Sequence, residues 1–390
     1  MVNIRSEIQD LEQEIITLRR DFHKHPEIGF DVSRTADIVA KHLESYGYTV
    51  QTGVGQSGVV GDINGNGSGP TIALRADMDA LPMQETSNIE YRSVKDGMMH
   101  ACGHDGHTAI LLGVAQVLAG MRENINGTVR LIFQPGEEGD AGAREMIKDG
   151  CLAGVDEIFG LHLWNYQQYG TAGSRPGPVL AAADIFEIAI TGIGGHGATP
   201  QGSVDAIVVA AELIQAFQTI VSRNTNPLES TVVSIGQISG GTNFNIIADK
   251  VYLRGTARSF SEENRTMIKK RMNEIVSGLE KLSGAKINLD YQDGYPPTIN
   301  NNAAYEKFTK AAKKIVGSGL IDPYMTMGGE DFAYYLEKIP GCFFFVGSEP
   351  THAESMSVPH HCSHFDIDER ALLSGASIMV QLIDDLLIQK

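Results

Sequence analysis

HTAILLGVAQVLAGMRENINGTVRLIFQPGEEGD, residues 107–140, decides the fold. Over 107–121 apolar residues recur at helical spacing, and TVRLIFQ then reads as a buried strand that ends at a Pro-Gly break. A helix followed by a strand is the unit of an α/β protein, and the flanks repeat it. Upstream, SRTADIVAKHLESYG has helical spacing with a glycine stop at Gly47. YTVQTGV, SGVVGDIN and TIALRAD read as strands, the last two joined by the turn-rich GNGSGP. Downstream come a helix, AGAREMIKDG, and a strand, EIFGLHL.

From about residue 182 the order changes. DIFEIAIT is a strand, 203–222 a helix, TVVSIGQI and KVYLRGTAR strands, 261–282 a helix and KINLDYQ a strand. This β-α-β-β-α-β order is the ferredoxin-like split motif, complete as a small domain. YEKFTKAAKKIVG, EDFAYYLEKI, CFFFVGS and a last helix then resume α/β alternation. The reading is an α/β catalytic domain built from 1–181 and 294–390, interrupted by an inserted ferredoxin-like domain at 182–293. A length of 390 residues fits two domains. There is no internal repeat and no low-complexity segment.

Charge narrows the partners. The chain has 31 basic and 48 acidic residues, a formal charge of −17, which repels polyphosphates and anionic lipid surfaces. Nucleic acid and membrane are therefore not expected partners. The start, MVNIRSEIQDLEQEI, does not read as a signal peptide, and no run approaches the ~18 apolar residues of a membrane span. Cys102, Cys151, Cys342 and Cys362 are too few and scattered for a disulfide framework, so a reduced, cytoplasmic setting is expected.

The chemistry concentrates in HACGHDGHT, residues 100–108, which holds three of the twelve histidines. Cys102 and His104 sit two apart on a glycine-bearing turn before a helix whose positive end favours a thiolate. Sulfur beside imidazole suits zinc, and less strongly nickel, cobalt or manganese. IFQPGEEGD delivers Glu137 and Glu138, whose side chains diverge if the chain is extended, one toward a metal and one toward its water. His162 lies at the end of the strand EIFGLHLWN, and His361 lies in SVPHHCSHFDIDE; sites in open α/β sheets gather beyond strand ends. Alone, the Cys-His turn is equally a pair of helix-capping residues, the glutamate pair can be a solvated turn, and a lone histidine at a strand end is usually structural.

GIGGHG, residues 192–197, matches a dinucleotide-binding pattern, but ATPQG intervenes before the next helix and no acidic residue ends a strand ~20 residues on. No nucleotide cofactor is expected.

RADMDALPM, MHACGHDGHTA, FQPGEEGDAGAREMI, LHLWN, GIGGHGATP, GTARSF and GGEDFAYYL, in this order, resemble the M20 metallopeptidase/amidohydrolase family, and within it the aminoacylase-like subfamily. That subfamily includes hippurate hydrolases, auxin-conjugate hydrolases and N-acetyl-diaminopimelate deacetylases. The resemblance runs from about residue 18 to the C-terminal helix.

It implies a pair of divalent metals (zinc, manganese, nickel or cobalt) held by Cys102, His104, Glu138, His162 and His361; five protein ligands exceed one tetrahedral site. Of the crowded His360, His361 and His364, only His361 keeps the family spacing to Phe365. Glu137 falls on the general base, taking a proton from the metal-activated water and returning it to the departing amine. Asp79 falls on a carboxylate that orients the site, His196 on an oxyanion-stabilising histidine, and Arg258 and Asn245 on positions that bind a substrate carboxylate. The implied activity is hydrolysis of N-acyl-L-amino acids. A dipeptidase or aminopeptidase of the same fold, or a non-catalytic metal-binding or regulatory protein, are the alternatives. The resemblance also implies a homodimer or higher homo-oligomer, formed through the inserted domain acting as lid, with His196 serving the opposite subunit.

Overall fold

The computed structural model describes residues 2–351 and 357–388. The chain divides into two compact units, Met1–Val179 with Ile299–Tyr324 and Asp331–Lys390, and Leu180–Thr298 with Met325–Glu330.

The first unit opens with three helices, and its first strands are β1 (Thr49–Val54), β2 (Gly58–Asn64), β3 (Thr71–Asp77), β4 (Thr128–Gln134) and β5 (Glu157–Gln168). Its eight-stranded sheet runs β1, β2, β4, β3, β5, then Gly341–Glu349, Ala172–Gly173 and Leu320–Ile321. The centre is parallel: β3 lies between β4 and β5, and Gly341–Glu349 follows β5. Strands covered on both faces read as continuous apolar runs, which is why TIALRAD and CFFFV lack a two-residue alternation. The helix His104–Gly120 is buried along nearly its whole length and packs against Glu12–Lys24 and Arg370–Leu387. A helix apolar on all sides belongs inside.

This helix begins at His104, earlier than its apolar spacing suggests, because Gly103 holds a left-handed backbone (φ +96°) that breaks the preceding chain. EDFAYYLEKI, read as a helix, is helical only over Ala333–Leu336.

The second unit places strands Ala182–Thr191, Thr231–Gly240, Lys250–Ser259 and Lys286–Tyr295 in one antiparallel sheet. In space the second strand is followed by the third, the first and the fourth, the ferredoxin-like order. Helices Ala206–Thr219, capped by Asp205, and Glu262–Ser283, capped by Ser261, cover one face. Phe186, Ile188, Ile190, Leu213, Phe217, Ile268 and Met272 fill the core between them. Along Ala182–Thr191 alternate residues turn inward, as a half-covered sheet requires.

One expectation needs correction. Ala206–Asn224 is long and apolar enough by composition to match a membrane span, although the sequence reading found no such run. Val209, Leu213, Phe217 and Ile220 turn into the unit's core, which accounts for much of that apolarity.

Candidate metal centre

β3 and β4 are parallel neighbours, with Asp77 opposite Gln134. Asp79 follows the end of one strand, and Glu137 and Glu138 follow the end of the other. The Asp79 carboxylate accepts the backbone N–H of Glu137 on one oxygen and of Glu138 on the other, both at 3.0 Å. Two successive N–H groups aimed at one anion fix the local backbone. The glutamate side chains do not diverge as an extended segment would make them. Donor atoms of Glu137, Glu138 and His104 all lie within 4.8 Å of one another. Regular strand geometry stops at Gln134, and Gly136 (φ +65°) and Gly139 (φ +100°) fold the segment over Asp79.

The imidazoles are oriented by backbone carbonyls. His104 Nδ1 lies 2.8 Å from the Asp79 carbonyl and His162 Nδ1 2.6 Å from that of Leu163, so each Nδ1 carries the donated proton. Nε2 of each ring then faces inward. His104 Nε2 is buried with no hydrogen-bond partner among the described residues, Asp77 Oδ2 lying 3.7 Å away. His162 Nε2 lies 3.5 Å from Cys102 Sγ. His361 Nε2 lies 3.4 Å from the same sulfur and 3.2 Å from Glu138 Oε1. A left-handed backbone at His361 (φ +62°) and its N–H bond to the Ala101 carbonyl (2.8 Å) aim this ring. Two donor triads share the thiol: Cys102, His104 and His162, and Cys102, Glu138 and His361.

Neighbouring histidines turn elsewhere. His360 packs between Trp164 and Phe365 and accepts the Asn165 N–H at Nε2, while His364 Nε2 lies 3.3 Å from the Ser357 carbonyl. His162 is not at the end of its strand, since β5 runs on to Gln168; it stands just past Gly160, the last residue of β5 paired with β3.

The cluster attracts positive charge. Burial opposes protonation of His104, but Asp77, Asp79 and Glu138 overcome it and push its pKa up to about 10. Burial raises Glu138, yet contacts with His361 and His104 bring its carboxyl below the usual range. The thiolate expected at Cys102 is not favoured by the protein alone. Burial and the Glu138, Glu137 and Asp77 carboxylates push the thiol well above its ordinary value, outweighing a helix N-terminus. A divalent cation reverses that balance, because a coordinating thiol is deprotonated.

Sequence reasoning missed a layer behind these donors. Asp77 receives His107 Nδ1 at 2.6 Å and Arg75 Nη1 at 2.6 Å, all three side chains being buried. His107 Nε2 accepts the Leu163 N–H at 2.9 Å, so the protein itself occupies both ring nitrogens. Arg75 continues to Gln134 and Asp331, which also takes the Ala143 N–H. His107 was legible as one turn past His104; Asp77 and Arg75 carried only their place in RADMD.

The remaining sequence-derived residues lie in the second unit. His196 pairs with Ile246 in a two-residue ribbon, beside Asn245, whose carbonyl accepts the Gly197 N–H at 2.9 Å. His196 Nδ1 accepts the Ala198 N–H at 3.0 Å, leaving Nε2 as the protonated position of the neutral, exposed ring. GIGGHG thus leads into a ribbon, and the next α-helix starts at Ala206. Arg258 donates to Thr256 at 3.0 Å, is in no ion pair among the described residues, and has its pKa lowered by burial.

Soft and borderline donors gathered beside the parallel strands, with a carboxylate pair among them, mark a metal-dependent hydrolase. The chain belongs to peptidase family M20/M25/M40, which matches residues 73–385. It is 44% identical over 378 residues to the YhaA protein of Bacillus subtilis (strain 168), covering 96% of this chain and 95% of that one. It is 40% identical to the N-acetyl-L-cysteine deacetylase of the same organism, covering 96% and 88%. Among solved structures, the Bacillus subtilis YXEP protein, a dinuclear metal binding peptidase of the M20 family, aligns with a TM-score of 0.84 at 35% identity, over 96% of this chain and 98% of that one.

Proposed function

We propose that the chain hydrolyses the amide bond of N-acyl-L-amino acids at a two-metal centre held by Cys102, His104, Glu138, His162 and His361. The observation that carries this is the convergence of three imidazole Nε2 atoms on Cys102 and Glu138, with the buried His104 Nε2 left without a hydrogen-bond partner among the described residues. Buried polar atoms are nearly always satisfied, so this one points to a group that completes it. Zinc, manganese, nickel or cobalt fit the mixed S, N and O donors. When bound, such metals supply an acidified water and polarise the substrate carbonyl.

The chain's own residues do the rest. Glu137, with its N–H fixed by Asp79, takes the proton of the attacking water and gives it to the leaving amine. His196, protonated at Nε2, donates to the developing oxyanion. Arg258, in no ion pair among the described residues, takes the substrate carboxylate together with Asn245. A deacetylase among the relatives supports a small N-acyl substrate. The peptidase in the solved relative supports a second reading, cleavage of dipeptides or peptide ends. Metal-reconstituted protein assayed on acetyl, benzoyl and indolyl amino acids beside simple dipeptides tests both; turnover only where the substrate amine is free favours the peptidase.

The first unit carries the metal donors, and the second offers a dimer surface. Its sheet exposes edge strands Thr231–Gly240 and Lys286–Tyr295, and Ile193, Ile207, Val208, Phe244 and Ile246 are exposed. Four free thiols fit a cytoplasmic setting.

A further inference from the structure

Arg19 lies in the helix Glu12–Lys24, far in sequence from every proposed ligand, and is completely buried. Each of its three guanidinium nitrogens meets a different carboxylate: Nε to Asp105 at 2.9 Å, Nη2 to Asp366 at 2.8 Å and Nη1 to Glu369 at 3.2 Å. His23, one turn on, adds a 2.8 Å contact to the same Asp105 oxygen. Tyr91 lies over the guanidinium, 4.8 Å from ring centroid to Cζ, and donates its hydroxyl to Asp366 at 2.9 Å.

A buried guanidinium loses its hydration, and such networks are weak sources of net stability. What this one secures is registry. Asp105 immediately follows His104 in the first turn of its helix. Asp366 and Glu369 close the segment that carries His361, which has no regular secondary structure between Ser357 and the helix starting at Arg370. That segment is held by separate bonds: the His361 and Thr86 N–H groups, Asn165 to the Val358 and Asp366 carbonyls, Arg20 to Glu369, and Arg19. Arg19 joins it to Asp105, the residue after His104, and so adds a side-chain tie to the His361 N–H bond with the Ala101 carbonyl.

We infer that Arg19 is a positioning residue that holds the His361 half of the metal centre in register with the His104 half. This rests on the two-metal reading above. The two halves are not equally braced. His104 and His162 sit on a core helix and a central strand, whereas His361 depends on the loop. Loosening Arg19 therefore weakens the Cys102, Glu138 and His361 triad and spares Cys102, His104 and His162.

The test is titration of Co²⁺ into the metal-free full-length chain by calorimetry, with native mass spectrometry counting ions. Wild type is expected to bind two. Arg19→Lys keeps the charge but cannot span three carboxylates, and is expected to bind one ion as wild type does and the other at least tenfold more weakly. Two wild-type affinities, or equal weakening of both, would overturn the inference, since a merely structural arginine lowers the melting temperature without separating the sites. If Arg19→Lys does not fold, Asp366→Ala removes one of the two loop arms and leaves Asp105 paired. It is expected to show the same one-site loss, and unchanged two-site binding refutes the proposal. A wild-type chain that binds fewer than two ions refutes the two-metal reading before any variant is compared.

Discussion

Replacing Asp79 by asparagine tests whether the carboxylate behind the two glutamates organises the site. Each carboxylate oxygen accepts one backbone N–H at 3.0 Å, and the residue is almost completely buried. Hydrogen bonds to a charged group are worth about 1.5–3 kcal/mol each. Asparagine keeps one acceptor and turns an NH₂ toward the other N–H, so roughly one such bond is lost, about 2–3 kcal/mol. For a chain of 390 residues, an unfolding entropy near ~2.1 cal/mol/K per residue makes that a drop of about 2–4 °C in Tm. The functional effect is separate and larger. The freed segment carries Glu137 and Glu138, and orienting groups of this kind typically change metal affinity or turnover by about 10- to 100-fold. Differential scanning calorimetry gives the first number, and metal titration with steady-state hydrolysis on the same preparation gives the second. An Asp79→Asn protein that melts with wild type and keeps its metal affinity and kcat would refute the cradle argument, whatever the substrate.

Glu137→Gln is expected to keep its metals and lose about 10²- to 10⁴-fold in turnover, read by metal content and hydrolysis rates on one sample; a near-normal rate removes it as the base. Cys102→Ser exchanges a soft donor for a poorer one and is expected to lower metal occupancy or shift metal preference. Unchanged stoichiometry, with activity newly resistant to peroxide, points instead to a redox role for the thiol. For His23, burial opposes protonation but Asp105 and Glu85 raise its pKa above 6.5, so its stabilisation is complete below that value and is lost as pH rises through the folded-state pKa. The melting difference between wild type and His23→Gln is therefore expected to shrink from pH 5.5 to 8.5; a difference that grows contradicts this. Co-refolding Glu137→Gln with His196→Ala protein tests a crossed dimer. Recovered activity supports it, and none in a sample shown to hold mixed dimers argues against it.

The donors were readable because their residue types are scarce. Cysteine occurs four times and histidine twelve times in this chain, so a cysteine and two histidines within six positions at 102–107 stand out against the background. Three of the strands that deliver the donors were equally plain, since parallel strands buried on both faces have unbroken apolar runs. What sequence could not supply was orientation. Glu137 and Glu138 were assigned opposite directions from strand geometry, which fails where Gly136 and Gly139 take left-handed conformations. The Cys102 thiolate was inferred from one helix end, while the opposing carboxylates belong to segments brought close only by folding.

The same difference separates ligands from the residues that aim them. Asp77 is one of many acidic residues until His107 and Arg75 close on it, and Arg19 is an ordinary helical arginine until it meets Asp105, 86 residues away, and Asp366, 347 residues away. Their chemistry is common; their placement is not. A carboxylate or guanidinium acquires a role through partners, whereas a thiol beside an imidazole suggests one by type alone. Substitutions at Asp77 or Arg19 should accordingly alter metal affinity without removing a single donor atom. Substitution of Cys102 removes the one atom that both donor triads share, so it should weaken both ions together. Loss of one ion at Cys102 and of two at Arg19 would reverse the assignment of ligand and brace.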